Sequence, residues 1–286
     1  MTGSPLPTKK RDWQRLIEDL GLRPSKGRGQ NFLHDPAVIH RIVKEAGVTA
    51  DDHVLEIGPG LGILTHALLE RAGRVSAIEL DSTLARHLES TFGGRANFAL
   101  HTGDALKADL SAIAGGKPIK VVANLPYSAA AAIIQHILES EIELVSATVM
   151  VQREVGERLL AAPPNMSILS VATQVYATGN IVFIVPPDVF LPPPKIESAV
   201  VTLVPHDAPL LAPHQRPQFF RLVNGGFRHK RKNIANSLAD ETRHGKGEIA
   251  SVLESVDIDP ARRAQTLTVP EWLALNDAWP WTGEAA

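Results

Sequence analysis

The chain has 286 residues, 44% hydrophobic and 21% charged, with a formal net charge of −2, which fits an ordinary globular protein with ample material for a core. It contains no cysteine, so disulfides, thiolate metal sites and a cysteine nucleophile are excluded, and the motifs hold no clustered metal-ligand pattern. The first residues lack a signal-type apolar stretch and no apolar run approaches the roughly 20 residues of a membrane span, so a cytoplasmic protein without membrane contact is expected.

Strand-like and helix-like segments alternate from residue 53 onward. Residues 53–58 (HVLEIG) predict a buried strand and 63–73 a helix ended by glycine. Residues 75–80 predict a second strand, and 82–92 a helix. Further strands are expected within 96–106, at 119–124, 146–152, 181–186 and 199–204, with helical patterns between most of them. Such alternation with glycine-rich turns implies an α/β fold with a mostly parallel, doubly wound sheet. From residue 206 the pattern changes to a proline-rich linker and then to helices only. Two domains are therefore expected, an α/β domain over 1–205 with a basic N-terminal extension and a small all-helical domain over 206–286.

The charge is unevenly spread. Residues 1–32 hold seven Lys/Arg against three acids, and residues 216–246 hold eight against two. Local fields of this kind can steer a phosphate backbone even when the whole chain is slightly acidic. Either cluster taken alone would read as a solvated face.

The turn after the first sheet strand is EIGPGLG, from Glu56 to Gly62, with Gly58, Gly60 and Gly62 where a dinucleotide fingerprint would place its glycines differently, since Ile63 stands at the last glycine position. Glycines here let the backbone approach a ligand at the carboxyl ends of the strands. Glu79 falls 21 residues after Gly58, where a carboxylate can accept two ribose hydroxyls, and Asp104 ends the third strand, where it can accept from an adenine amino group. A nucleoside site without a pyrophosphate seat fits S-adenosylmethionine better than NAD.

The fourth strand runs into Asn124-Leu125-Pro126-Tyr127. The exocyclic nitrogen of adenine is a poor nucleophile because its lone pair is delocalised into the ring. Two acceptors for its hydrogens, the Asn124 side-chain oxygen and the Leu125 carbonyl, would draw it towards tetrahedral geometry. Pro126 would fix the turn, Tyr127 would stack on the base, and Ser128 would cap the next helix. Alone, Asn124 is a turn former and Tyr127 a core residue; beside EIGPGLG and Glu79 they point to base methylation.

GQNFL (29–33), EIGPGLG, AIELD (77–81), GDAL (103–106), NLPY (124–127), VQREVGERL (151–159), FLPPPKIESAVVTL (190–203) and FRHKRKNIANSL (227–238) occur in that order. Together they resemble the ribosomal RNA adenine N6-dimethyltransferases of the small-subunit, kasugamycin-sensitivity type, from about residue 26 to the C-terminus. The resemblance implies a Rossmann-like methyltransferase domain, S-adenosylmethionine as cofactor, no metal, and dimethylation of two adjacent adenosines in the 3′-terminal hairpin of small-subunit RNA within a 30S or pre-30S particle, by a monomer. It further implies that Asn31 and Leu33 contact the methionine end of the cofactor, with Glu56, Gly58 and Gly60 lining its turn. Glu79 would hold the ribose, Asp104 the adenine and Asn124 the reacting centre. Asn124, Leu125, Tyr127 and Phe190 would form the catalytic group, with Phe190 the second aromatic wall of the target pocket. Arg228, Lys230, Arg231 and Lys232 would bind RNA. Two departures from the family pattern stand out: Ala131 and Ala132 replace a hydroxyl residue and proline, and 163–171 lacks the Lys and Tyr-Gly usual before its LSV. Rival readings are a large-subunit adenine methyltransferase, a non-enzymatic RNA-binding or transcription factor on the same fold, and a nucleotide-linked dehydrogenase, which the glycine spacing disfavours.

Overall fold

The computed structural model describes residues 6, 7, 9–22, 31–241 and 244–280. Lys26, Arg28, Gly29 and Gln30 of the basic N-terminal segment, and Arg243, lie outside the described residues. In chain order the elements are α1 (Lys10–Asp19), β1 (Phe32–Leu33), α2 (Pro36–Glu45), β2 (His53–Ile57), α3 (Ile63–Leu69), β3 (Arg74–Glu79), α4 (Ser82–Phe92), β4 (Phe98–Thr102), α5 (Leu110–Ala114) and β5 (Ile119–Asn124). Next come α6 (Ala130–Glu139), β6 (Leu144–Gln152), α7 (Arg153–Leu159), α8 (Ile168–Gln174), β7 (Ala177–Val185), β8 (Phe190–Leu191) and β9 (Ser198–Pro205). Helices α9 (Arg216–Arg228), α10 (Ile234–Glu241), α11 (Lys246–Ser255) and α12 (Val269–Ala278) complete the series.

Two compact units result, one from Met1–Gly156 and Gly179–Pro205, the other from Glu157–Thr178 and His206–Ala286. Residues 157–178, expected in the first domain, group with the helical unit instead. The reason is apolar: Met166, Val171 and Val175 are buried in the same cluster as Phe219, Leu222 and Trp272. That cluster, completed by Ile234, Leu238, Leu253 and Leu275, is the core of the second unit.

The first unit is built on a seven-stranded sheet of order β4-β3-β2-β5-β6-β9-β7. Strands β4, β3, β2, β5 and β6 are mutually parallel, and β9 runs antiparallel to β6. Every residue of β2 is buried, as a strand covered on both faces requires. The chain leaves β2 to form β3 and β4 on one side and returns to β5 on the other, so the switch point lies between β2 and β5. All five parallel strands end at one edge, and the loops leaving that edge carry the motifs picked out above.

Local chemistry explains the sharpest boundaries. Asp81 opens α4 by accepting from the backbone N–H of Thr83 (2.8 Å) and Leu84 (3.3 Å), so the helix begins where the sequence predicts. Helix α6 does not start as expected. Its N-cap is Ala129, with no side-chain cap, and the Ala129 N–H donates to the Pro126 carbonyl at 3.0 Å. Backbone therefore closes the NLPY turn, and the Ser128 hydroxyl is not its cap. Among the described residues, no helix is long and apolar enough to cross a membrane.

Candidate active site

A cavity of about 560 Å³ opens at the carboxyl edge of β2, β3, β4 and β5, within the size range of small-molecule sites. Its lining includes Asn31, Leu33, Glu56, Gly58, Gly60, Glu79, Asp104, Asn124, Leu125 and Tyr127, all expected from the sequence.

The floor is the β2–α3 turn. Gly60 and Gly62 have φ of +58° and +84°, a region that favours glycine. Close approach adds a second demand: a Cβ on Gly62 would lie 2.6 Å from the Phe92 ring, and one on Gly60 3.2 Å from the Phe32 ring. The turn is held from β3, since Glu79 accepts from the Gly60 N–H through Oε2 (3.1 Å) and from the Asp81 N–H through Oε1 (2.8 Å). Burial raises the Glu79 carboxyl above the ordinary carboxylate range, while these two N–H donors pull it back. Asp104 accepts from the Leu106 N–H at 3.0 Å, which fixes its side chain at the rim.

Glu56 is only 1% exposed, and its Oε2 has no hydrogen-bond partner. Burial pushes its carboxyl up to about 8; the neighbouring Thr65 hydroxyl opposes the shift without reaching hydrogen-bond geometry, and Glu79 adds to it. The cavity thus has four carboxyl groups in its lining, from Glu56, Glu79, Asp81 and Asp104, and no Lys, Arg or His among the described residues. No group of three or more His, Cys, Asp or Glu among the described residues is arranged to hold a metal. Glycines pressed against their neighbours, an orphaned buried carboxyl oxygen and a lining whose ionisable carboxyl groups face no basic side chain among the described residues suit an organic cation carrying a nucleoside, as S-adenosylmethionine does.

At the other end of the cavity, the Asn124 Nδ2 donates to the Asn31 carbonyl at 3.5 Å. Neither the Asn124 Oδ1 nor the Leu125 carbonyl accepts a hydrogen bond among the described residues. Tyr127 is half-buried, with its hydroxyl 2.5 Å from the Ser198 Oγ at the start of β9.

Phe190 does not stand where the sequence suggests. It is fully buried, paired with Leu33 in the short β1–β8 ladder and packed among Val122, Met150 and Val200, and it does not line the cavity. Phe32, its neighbour in the ladder, is the aromatic residue that lines the cavity together with Tyr127. Leu80 was also missed. It is 71% exposed and borders the cavity beside Glu79, and the signal was available, since an apolar residue directly after a strand-end acid has little reason to face water.

Of the four basic residues assigned to RNA, Arg228 ends α9 and the other three occupy the turn that leads into α10. Arg228 pairs with Glu241 (2.5 Å) and Lys232 with Asp240. Lys230 and Arg231 are exposed and make no ion pair among the described residues.

A mostly parallel sheet with a switch-point cavity, glycine turn and strand-end acids defines the Rossmann-like methyltransferase class. Residues 23–275 match the ribosomal RNA adenine dimethylase family, and the chain belongs to it. It is 40% identical over 272 residues to the ribosomal RNA small subunit methyltransferase A of Moorella thermoacetica, covering 91% of this chain and 94% of that protein. The protein of the same description from Clostridium perfringens is 41% identical over 268 residues, covering 93% and 94%. Among solved structures, a dimethyladenosine transferase from Plasmodium falciparum superposes with a TM-score of 0.72 at 26% identity, covering 85% of this chain and 95% of that one. The 23S rRNA methyltransferase ErmE gives 0.68 at 28% identity, covering 87% and 99%.

Proposed function

We propose that the protein uses S-adenosylmethionine to dimethylate the N6 of two adjacent adenosines in the 3′-terminal hairpin of small-subunit ribosomal RNA. The observation that carries this reading is the pair of open acceptors, Asn124 Oδ1 and the Leu125 carbonyl, at the end of a cavity whose lining carries carboxyl groups suited to a nucleoside. The relatives named for the small subunit, at about 40% identity, favour that RNA over the large-subunit RNA of the more distant ErmE.

The cofactor supplies a sulfonium-bound methyl group. The chain's own residues do the rest. Asn124 Oδ1 and the Leu125 carbonyl accept the two amine hydrogens, concentrating the lone pair on nitrogen and aiming it. These bonds strengthen as the nitrogen becomes tetrahedral, so they act on the barrier more than on binding. Tyr127 packs on the extruded base, with its hydroxyl tied to Ser198. Glu79 accepts from ribose hydroxyls, Asp104 from the adenine amino group, and Leu80 covers the adenine ring. Asn31, Leu33, Gly58 and Gly60 enclose the methionine end. The exposed cations Lys230 and Arg231 meet phosphates. In this reading the chain works as a monomer on RNA within a 30S or pre-30S particle, in the cytoplasm.

Incubation with methyl-labelled cofactor and separated ribosomal RNAs tests the assignment. Label is expected in small-subunit RNA. Label in large-subunit RNA alone would assign the protein to the sister activity, and no transfer to either, despite cofactor binding, would favour a non-enzymatic RNA-binding role.

A further inference from the structure

The buried Glu56 carboxyl has no role in the chemistry above, yet it sits in the cavity lining with an orphaned oxygen. An unpartnered polar atom in a buried position is costly and calls for an absent partner. Nothing among the described residues supplies one. Thr65, on α3, is close but makes no hydrogen bond, and its neighbour His66 packs on Phe92. From β3 the nearest titratable group is Glu79, of the same sign, whose oxygens are engaged by Gly60 and Asp81. The one titratable side chain of β5, Lys120, is drawn to the far end of its strand by Asp52 (2.9 Å) and the Gly47 carbonyl (2.8 Å). Helix α2 contributes only Ile39 to the cavity, and its Arg41 lies over the Phe183 ring. The remaining carboxyl groups of the lining, Asp81 and Asp104, are acidic too, and Tyr127 is the one other titratable side chain among the described lining residues.

We infer that Glu56 seats the ammonium of the cofactor's amino-acid end by exchanging its own proton for that cation, so that cofactor binding expels a proton into solvent. This rests on the S-adenosylmethionine reading and adds a coupling to it. Without the cofactor a proton keeps Glu56 neutral, which is the state that burial beside another acid favours and which the upward shift to about 8 reflects. When a cation enters, the carboxylate becomes the favoured form. The O–H bond of Glu56 breaks, the proton leaves to buffer, and the ammonium keeps all its hydrogens. The sign follows from linkage: below about pH 8 binding must strip a proton, so affinity rises with pH and levels off above that value.

Calorimetry at pH 7 in buffers of different ionisation enthalpy reads the proton directly. The unreactive probe is S-adenosylhomocysteine, and 5′-methylthioadenosine, which lacks the amino-acid end, is its control. S-Adenosylhomocysteine is expected to release most of a proton at pH 7 and to bind more tightly as pH rises, approaching about tenfold per pH unit well below pH 8. Methylthioadenosine is expected to release none, and Glu56→Gln is expected to bind S-adenosylhomocysteine without release. Binding of S-adenosylhomocysteine by the unaltered protein with no proton released, or equal release by both probes, would overturn the proton exchange while leaving the cofactor assignment intact. Failure of both probes to bind would overturn the cofactor reading itself, and the exchange with it.

Discussion

The Tyr127 hydroxyl lies 2.5 Å from the Ser198 Oγ, so the aromatic residue of the NLPY turn is tied to the first residue of β9. Ser198 is wholly buried, and burial holds the Tyr127 phenol above its ordinary range, keeping it a neutral hydrogen-bond partner. The contact sets where the ring can lie at the mouth of the cavity.

Tyr127→Phe and Ser198→Ala each delete one partner of that bond. A neutral hydrogen bond contributes about 0.5–1.5 kcal/mol, so each variant should lose roughly two- to tenfold in single-turnover rate. Cofactor affinity should hold. The double variant should be little slower than either single one, because both changes remove the same interaction. Fully additive losses would show that the two hydroxyls act separately.

Asn124→Ala removes one of the two open acceptors at the reacting nitrogen. By analogy with the loss of one oxyanion-hole donor, kcat should fall roughly 10²–10³-fold, with cofactor affinity near that of the parent. Single-turnover kinetics beside a cofactor titration separates the two quantities.

Stability of the ligand-free protein should depend on pH through Glu56. Its carboxyl is raised from 4.5 to about 8 by burial, so its contribution is fully present below pH 4.5 and is lost as pH rises through about 8. Glu79 is raised too and acts in the same direction. Denaturation curves between about pH 5 and 8 should show stability falling with pH and levelling off above that, with Glu56 accounting for up to about 1.4 kcal/mol per pH unit. Glu56→Gln should flatten that slope, leaving the smaller part due to Glu79.

Ion pairs divide the four cations at the end of α9 and in the turn after it. Replacing Lys230 and Arg231 with Ala should weaken RNA binding and reduce its salt slope by about 1 for each residue. Arg228 and Lys232 already face Glu241 and Asp240, so their replacement should change the slope less. Affinity for the cofactor should not move in either case. Equal slopes for both pairs of variants and the parent would defeat the assignment of this turn to RNA.

Much of this was legible in the sequence where one local rule decides. The bounds of α4 follow from the Asp81 cap, and β5 from an apolar run bounded by turn signals. Glu56, Glu79, Asp104 and Asn124 could be brought together in advance because parallel strands end at one edge. What failed depended on packing over distance. Phe32 and Phe190 belong to a two-residue ladder, too short for alternation to say which ring faces the cavity and which the core. Met166, Val171 and Val175 read as core residues, but nothing in their spacing says which core. The carboxylates that pair with Arg228 and Lys232 come from the far end of α10, beyond the reach of a local charge count.

The most direct test is mass spectrometry of unmodified small-subunit RNA, in its particle, after incubation with the protein and methyl-labelled S-adenosylmethionine. Two adjacent adenosines of the 3′-terminal hairpin should each gain two methyl groups, and Asn124→Ala should leave them unmodified over the same time although it still binds the cofactor. Methylation confined to other nucleotides, or full dimethylation by the Asn124→Ala protein, would contradict the account.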